Sequence, residues 1–152
     1  MAVEVSCSFL TENSPCCLAG IVSTIVPLSA CNLNMTSHLI SLQVTGKRGG
    51  EKASVSEKDL ILNRAGYFEL TRQQQEILTI CPKHRKSLTA DWQGRKSRAC
   101  SYPAHLGKPK QLKSPRRINA QMSLEIYQIF NSVVPIGSGK CFLLILLQEI
   151  LF

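Results

Sequence analysis

Aromatic residues are scarce in this chain, nine in 152, and Trp92 is the single tryptophan. A core built with so few rings must come from aliphatic side chains, and these crowd towards the two ends. The sequence therefore predicts a small, partly disordered α+β protein rather than one densely packed domain. Acid is almost missing from the middle of the chain. Between Lys83 and Arg117 the sole carboxylate is Asp91, against eleven lysines and arginines. That shortage removes the orienting carboxylate that a Cys/His nucleophile needs, and no oxyanion donors can be assigned. The expectation is a non-enzymatic protein without a small-molecule substrate. A phosphate-binding loop is excluded as well: Gly137-Ser-Gly-Lys140 imitates one, but Val134 stands where glycine is required and Cys141 where a Ser or Thr hydroxyl would reach magnesium.

Long apolar runs are also missing. The stretch from Cys141 to Phe152 has twelve residues, where a helix needs about twenty to cross a bilayer, so no transmembrane span is expected. The apolar stretch from Cys16 to Ala30 has no basic leader, is preceded by Glu4 and Glu12 and is broken by Pro27, which argues against a secretory signal. Seven cysteines, an odd number, fit a secreted disulfide framework poorly. The expected location is intracellular, with the nucleus a candidate compartment.

What the chain does have is concentrated basic charge. Outside residues 83–117 there are seven basic and nine acidic side chains, so all the net positive charge of +8 originates in that one segment. A local excess of this kind points to an anionic partner, nucleic acid or an acidic protein surface. A solvated basic linker accounts for the same run equally well. For nucleic acid, Lys83, Arg85, Lys86, Arg95, Lys96, Arg98, Arg116 and Arg117 would neutralise phosphates and Trp92 would stack on a base. The alternative for Trp92 is to anchor a small core.

The same segment carries metal-ligand types at short spacing. Cys81-x2-His84 pairs a thiolate with an imidazole across two residues, which lets the chain turn back on a borderline-soft ion such as zinc. Cys100 adds a third donor, and Cys141 or His105 a fourth, making a Cys3His or Cys2His2 structural site. Plain thiols and a solvent-facing histidine are the alternative.

Four pieces follow from the patterning. Residues 1–50 form an apolar N-terminal segment in which His38 to Thr45 alternates, with Ile40, Leu42 and Val44 on one face, and predicts a strand. Gly46-Lys47-Arg48-Gly49-Gly50 reads as a flexible joint. Residues 51–66 are a linker and short helix, with Ser56 as N-cap three residues before Asp59, and Gly66 as the stop. Residues 67–141 are the Cys/His basic module. In it Thr71 and Gln74 make a capping box for a helix over Arg72 to Ile80 that Pro82 ends, and Ser123 caps a helix over Leu124 to Asn131 closed by Pro135 and Gly137. Between these helices runs an irregular segment punctuated by Pro and Gly that a metal would staple. Residues 142–152 are an apolar tail.

Cys81-Pro-Lys-His84-Arg, Trp92, Cys100-Ser-Tyr-Pro103, the basic stretch Lys108 to Arg117 and Val134-Pro-Ile-Gly-Ser138 occur in this order. Together, over roughly Tyr67 to Cys141, they resemble an uncharacterised Cys/His module of marine-invertebrate proteins. The resemblance implies zinc binding and a regulatory or nucleic-acid role. The module closes with a Cys-x2-Cys pair, of which Cys141 matches the first member while Leu144 replaces the second. Gly139-Lys140-Cys141 can be encoded by codons that contain a splice-donor consensus. The residues beyond about Gly139 are therefore expected to be intron-derived, and the chain a truncated isoform or a gene-model artefact. The alternative to a zinc module is thus a metal-free protein-interaction fragment, or a truncated form without its own activity.

Overall fold

The computed structural model describes residues 6–12, 15, 25–44, 55–96, 100, 101, 103 and 116–140. The 46–50 joint, Arg98, Tyr102, His105, Cys141 and the 142–152 tail lie outside the described residues. The fold is a small α+β arrangement: among the described residues there are five short helices and two two-stranded antiparallel sheets. The chain divides into two compact units, one from Met1–Asn34 and Ser56–Trp92, the other from Met35–Val55 and Gln93–Phe152.

In the first unit, β1 (Val26–Pro27) leads into a 3-10 turn over Leu28–Ala30. Helix α2 (Glu57–Ala65) starts where the Ser56 hydroxyl accepts a 3.1 Å hydrogen bond from the Asp59 N–H. The cap satisfies one of the four amide donors that a helix start leaves without an intrahelical partner. The helix stops at Gly66, whose φ of 86° a side-chain-bearing residue adopts only at a cost. Leu60, Ile61 and Leu62 are all buried. Tyr67, exposed at the surface, sets its ring edge-on against that of buried Phe9 at 5.7 Å.

Helix α3 (Arg72–Glu76) has the expected capping box: the Gln74 N–H donates to Thr71 Oγ1 at 3.2 Å and the Thr71 N–H to Gln74 Oε1 at 2.8 Å. It ends well short of Ile80, however. Thr79 and Ile80 form β2, which pairs antiparallel with β1 in the register Val26↔Ile80 and Pro27↔Thr79. The β-branched run favours an extended backbone, and the ladder lets Ile80 be buried completely. Pro82 consequently opens a helix instead of closing one. Helix α4 (Pro82–Leu88) carries it at the first position, where its missing N–H costs nothing, and Cys81 becomes the N-cap.

Helices α2 and α4 are tied together by charge. The Arg64 guanidinium donates to the carbonyls of Leu88 (2.9 Å) and Thr89 (3.3 Å) at the end of α4 and lies 4.1 Å over the Trp92 ring. At the other end Arg85 Nε and a terminal nitrogen grip the two oxygens of Glu57 at 2.5 and 3.2 Å. The carboxylate also accepts the Leu33 N–H at 3.3 Å.

In the second unit the alternation of residues 38–45 does not produce a strand. Helix α1 spans Thr36–Ser41. Met35, Leu39 and Leu42 are buried at spacings of four and three, while Ile40 is 65% exposed; the helical period places more of the apolar surface inward than the period of two does. Helix α5 (Ala120–Phe130) begins earlier than expected. Its cap is Asn119, whose side chain accepts the Met122 N–H at 2.9 Å. Ser123, the expected cap, is buried one turn inside and donates to the Val134 carbonyl at 2.6 Å. The helix ends at Asn131, in the left-handed region at φ 52°, ahead of Pro135 and Gly137. Ile118, Met122, Ile126 and Val134 form the core beneath α5. Beside it β3 (Arg116–Arg117) pairs antiparallel with β4 (Gly139–Lys140).

Candidate metal centre

Cys81 and His84 meet because of the helix start that Pro82 permits. As the N-cap, Cys81 has extended backbone angles and its sulfur faces the first turn, where it accepts the His84 N–H at 3.5 Å. His84, three positions along, turns its ring back towards the same point: Nδ1 lies 3.1 Å from Cys81 Sγ.

A third ligand, a second thiol, arrives from 74 residues away. Ser6 to Ser8 run alongside β2, where the Ser8 N–H donates to the Thr79 carbonyl at 2.9 Å, the Thr79 N–H donates to Ser8 Oγ at 2.9 Å, and the Thr79 hydroxyl donates to the Ser6 carbonyl. Phe9, buried in the core, anchors the segment from the other side. Cys7 is thereby held against Cys81. Its sulfur accepts the Cys81 N–H at 3.3 Å and lies 3.4 Å from His84 Nδ1. The two sulfurs and the ring nitrogen all fall within 4.8 Å of one another. Cys7, Cys81 and His84 are 6%, 3% and 3% exposed.

This arrangement fits a cation. Each sulfur already accepts a backbone N–H. One ring nitrogen accepts a proton from one thiol at most, yet both sulfurs face it. A metal ion among the three donors takes a lone pair from each of them. Two sulfurs and one imidazole nitrogen are the donor set of borderline-soft ions. The cluster can therefore hold a metal ion.

The other cysteine of the same core is occupied differently. Cys31 is buried among Leu28, Ile61 and Ile80 and shares a hydrogen bond with Glu57. Burial pushes its thiol up, the Glu57 charge and hydrogen bond add to this, and the Arg85 charge opposes it. Cys7, Cys31, Cys81 and Cys100 are reduced and buried. Cys100 belongs to the second unit, next to Ser101, whose N–H bonds the Gly139 carbonyl at 2.9 Å.

Of the proposed phosphate contacts, Lys83 is exposed and reaches the Pro15 carbonyl at 2.6 Å. Arg85 is engaged by Glu57, and Lys86 pairs with Asp91 at 3.3 Å. Lys96 is exposed, and Arg117 donates to the Gly137 carbonyl at 3.2 Å. The side chains of Arg95, Arg98 and Arg116 are outside the described residues. Trp92 is buried beneath Arg64. Burial pushes the Arg64 guanidinium down to about 9, which leaves it charged at neutral pH.

Cys7 was invisible to spacing analysis. No motif joins it to Cys81-x2-His84, and the only local hint is a cysteine between serines, Ser6-Cys7-Ser8, whose backbone and hydroxyl groups later clamp Thr79. Among the described residues no helix is long and apolar enough to cross a membrane. No family model, curated protein or solved structure matches the chain.

Proposed function

We propose that the first unit is a non-enzymatic zinc-stapled module, with Cys7, Cys81 and His84 as ligands and a fourth donor completing the tetrahedron. The observation that carries this reading is the convergence of three buried donor atoms within 4.8 Å, drawn from two segments far apart in sequence. Zinc suits mixed sulfur and nitrogen donors and has no redox chemistry of its own, so it serves as a staple. The module has few rings to pack, and binding energy from the ion adds directly to folding. Cobalt(II) titration of the reduced full chain tests the reading. The expected result is one equivalent bound with a sulfur-to-cobalt charge-transfer band, displaced by zinc and lost in Cys7→Ser and in Cys81→Ser. A cobalt spectrum without sulfur character, or one unchanged by Cys7→Ser, would overturn it.

The partner of the chain follows from the charge of residues 83–117, which run from the first unit into the second. Eleven cations against one carboxylate between Lys83 and Arg117 favour an anionic surface, nucleic acid in particular. Exposed Lys83 and Lys96 are the contacts most open to it, since Arg85 and Lys86 have acidic neighbours. Binding to a mixed-sequence oligonucleotide should weaken steeply with salt, with a slope reduced by about one for each of Lys83→Ala and Lys96→Ala. No binding at low salt would remove this reading and leave the metal centre untouched.

A further inference from the structure

Two thiols from remote parts of a chain are rarely buried side by side without a reason, and here they also share an imidazole. Cys7 Sγ and Cys81 Sγ lie within 4.8 Å of each other, with His84 Nδ1 3.4 and 3.1 Å away. A disulfide bond is about 2 Å long and requires the two β-carbons to face each other. The N–H of Cys81 already touches Cys7 Sγ at 3.3 Å, so the two residues are backbone neighbours across the Ser8–Thr79 clamp. Cys31, the other buried cysteine of this core, has its sulfur engaged by the Glu57 carboxylate instead.

We infer that Cys7 and Cys81 are a peroxide-sensitive dithiol that closes into a disulfide once the ion leaves, so that the same three side chains act as metal centre and redox switch. The switch rests on the metal-centre reading for its gating: a bound cation holds both sulfurs as ligands, and its loss frees them to react with a small oxidant. Hydrogen peroxide is the oxidant class that suits a buried site. The Cys81 sulfur attacks one peroxide oxygen. The O–O bond breaks, Cys81 becomes a sulfenic acid, and the thiol proton joins the departing hydroxide, which leaves as water. The Cys7 sulfur then attacks the sulfenic sulfur, forming the S–S bond and releasing a second water from the sulfenic hydroxyl and the Cys7 proton. Two thiols are oxidised and one peroxide is reduced to two waters. The product can no longer supply two thiolates, so metal binding stays off until a thiol reductant restores them.

The test uses the full chain, stripped of metal with a chelator, reduced, and treated with an equimolar amount of hydrogen peroxide. Digestion without reductant should yield the Cys7 peptide joined to the Cys81 peptide as the main oxidised species, lighter by two hydrogens than the sum of the two. Pre-loading with zinc should slow its appearance at least about tenfold, because coordinated sulfur is no longer an open nucleophile. In Cys7→Ser, which removes the resolving thiol, Cys81 should accumulate as a sulfenic acid that dimedone captures. Joined peptides that form at the same rate whether or not zinc is added, in a chain that binds no zinc, would sink the metal-centre reading while sustaining the dithiol. A chain that binds zinc through Cys7 and Cys81, but whose apo form gives sulfinic acids or links to other cysteines, would overturn the switch.

Discussion

Replacing Arg85 by alanine should destabilise the first unit more than replacing its partner Glu57, even though both changes break the same ion pair. The difference lies in what each substitution strands. The Glu57 side chain is 1% exposed and that of Arg85 29%. Without Arg85, a carboxylate is left in the core with only neutral partners among those described, the Leu33 N–H at 3.3 Å and the Cys31 thiol. Removing one partner of a buried pair costs about 3–5 kcal/mol because the other charge is left uncompensated. Without Glu57, the guanidinium swings towards water on its long stem, and the loss is closer to the hydrogen bonds themselves, about 2 kcal/mol. Taking roughly 2 kcal/mol per molar urea as the slope, the unfolding midpoint should fall by about 2 M for Arg85→Ala and about 1 M for Glu57→Ala. Trp92, the single tryptophan and buried in this unit, reports the transition by its fluorescence. Measurements at one fixed excess of zinc keep ligand stabilisation constant. The double variant Glu57→Met with Arg85→Met should recover most of the stability, since no charge is left behind. Equal midpoints for the two alanine variants, or a larger loss for Glu57→Ala, would refute the reasoning.

Other consequences can be checked on the same protein. Asn119→Ala should cost about 1 kcal/mol through the lost α5 cap, seen as loss of helical circular dichroism on mild heating. Equal tolerance of Asn119→Ala and a surface alanine control would place the cap elsewhere. Arg64→Met should release the Leu88 and Thr89 carbonyls and remove the stacked cation, destabilising by about 2–3 kcal/mol and altering Trp92 emission in the folded state. Unchanged emission would contradict the 4.1 Å stack. Burial raises the Cys31 pKa above the ordinary thiol value of 9.0, so the folded state binds that proton more tightly than the unfolded chain does. The stability this contributes is present below pH 9.0 and is lost as pH rises from there through the folded value. The advantage of the native protein over Cys31→Ala in urea should therefore shrink above that pH, with a slope of at most about 1.4 kcal/mol per pH unit; a constant advantage would refute it.

Local signals in the sequence were legible where they act within one turn. Ser56, Gly66 and the Thr71–Gln74 pair cap α2 and α3 as their side-chain chemistry dictates. The two-residue spacing of Cys81 and His84 was legible too, although the helix start that brings them together depends on the β1–β2 ladder. The readings that failed were decided by distant contacts. Helix α3 stops at Glu76 because Ile80 gains a strand partner in Val26, and Pro82 changes from terminator to initiator as a result. The sequence carries a period of two over residues 38–45 and a period of 3.6 through Met35, Leu39 and Leu42, and burial of these three chooses the second. Ser123 looked like a cap because its hydroxyl is suited to one. It is used one turn further in, by the Val134 carbonyl, and Asn119 takes the helix start. Cys7 reaches the candidate metal centre through Ser8 and Thr79, a contact across 71 residues that no window along the chain contains.

Native mass spectrometry of the reduced full chain, with and without a chelator and alongside Cys7→Ser and Cys100→Ser, tests the central claim most directly. The account predicts one zinc on the native chain, removed by the chelator and by Cys7→Ser, because Cys7 Sγ is one of three donors within 4.8 Å. A native chain that carries no zinc, or a zinc that Cys7→Ser leaves in place, would contradict it.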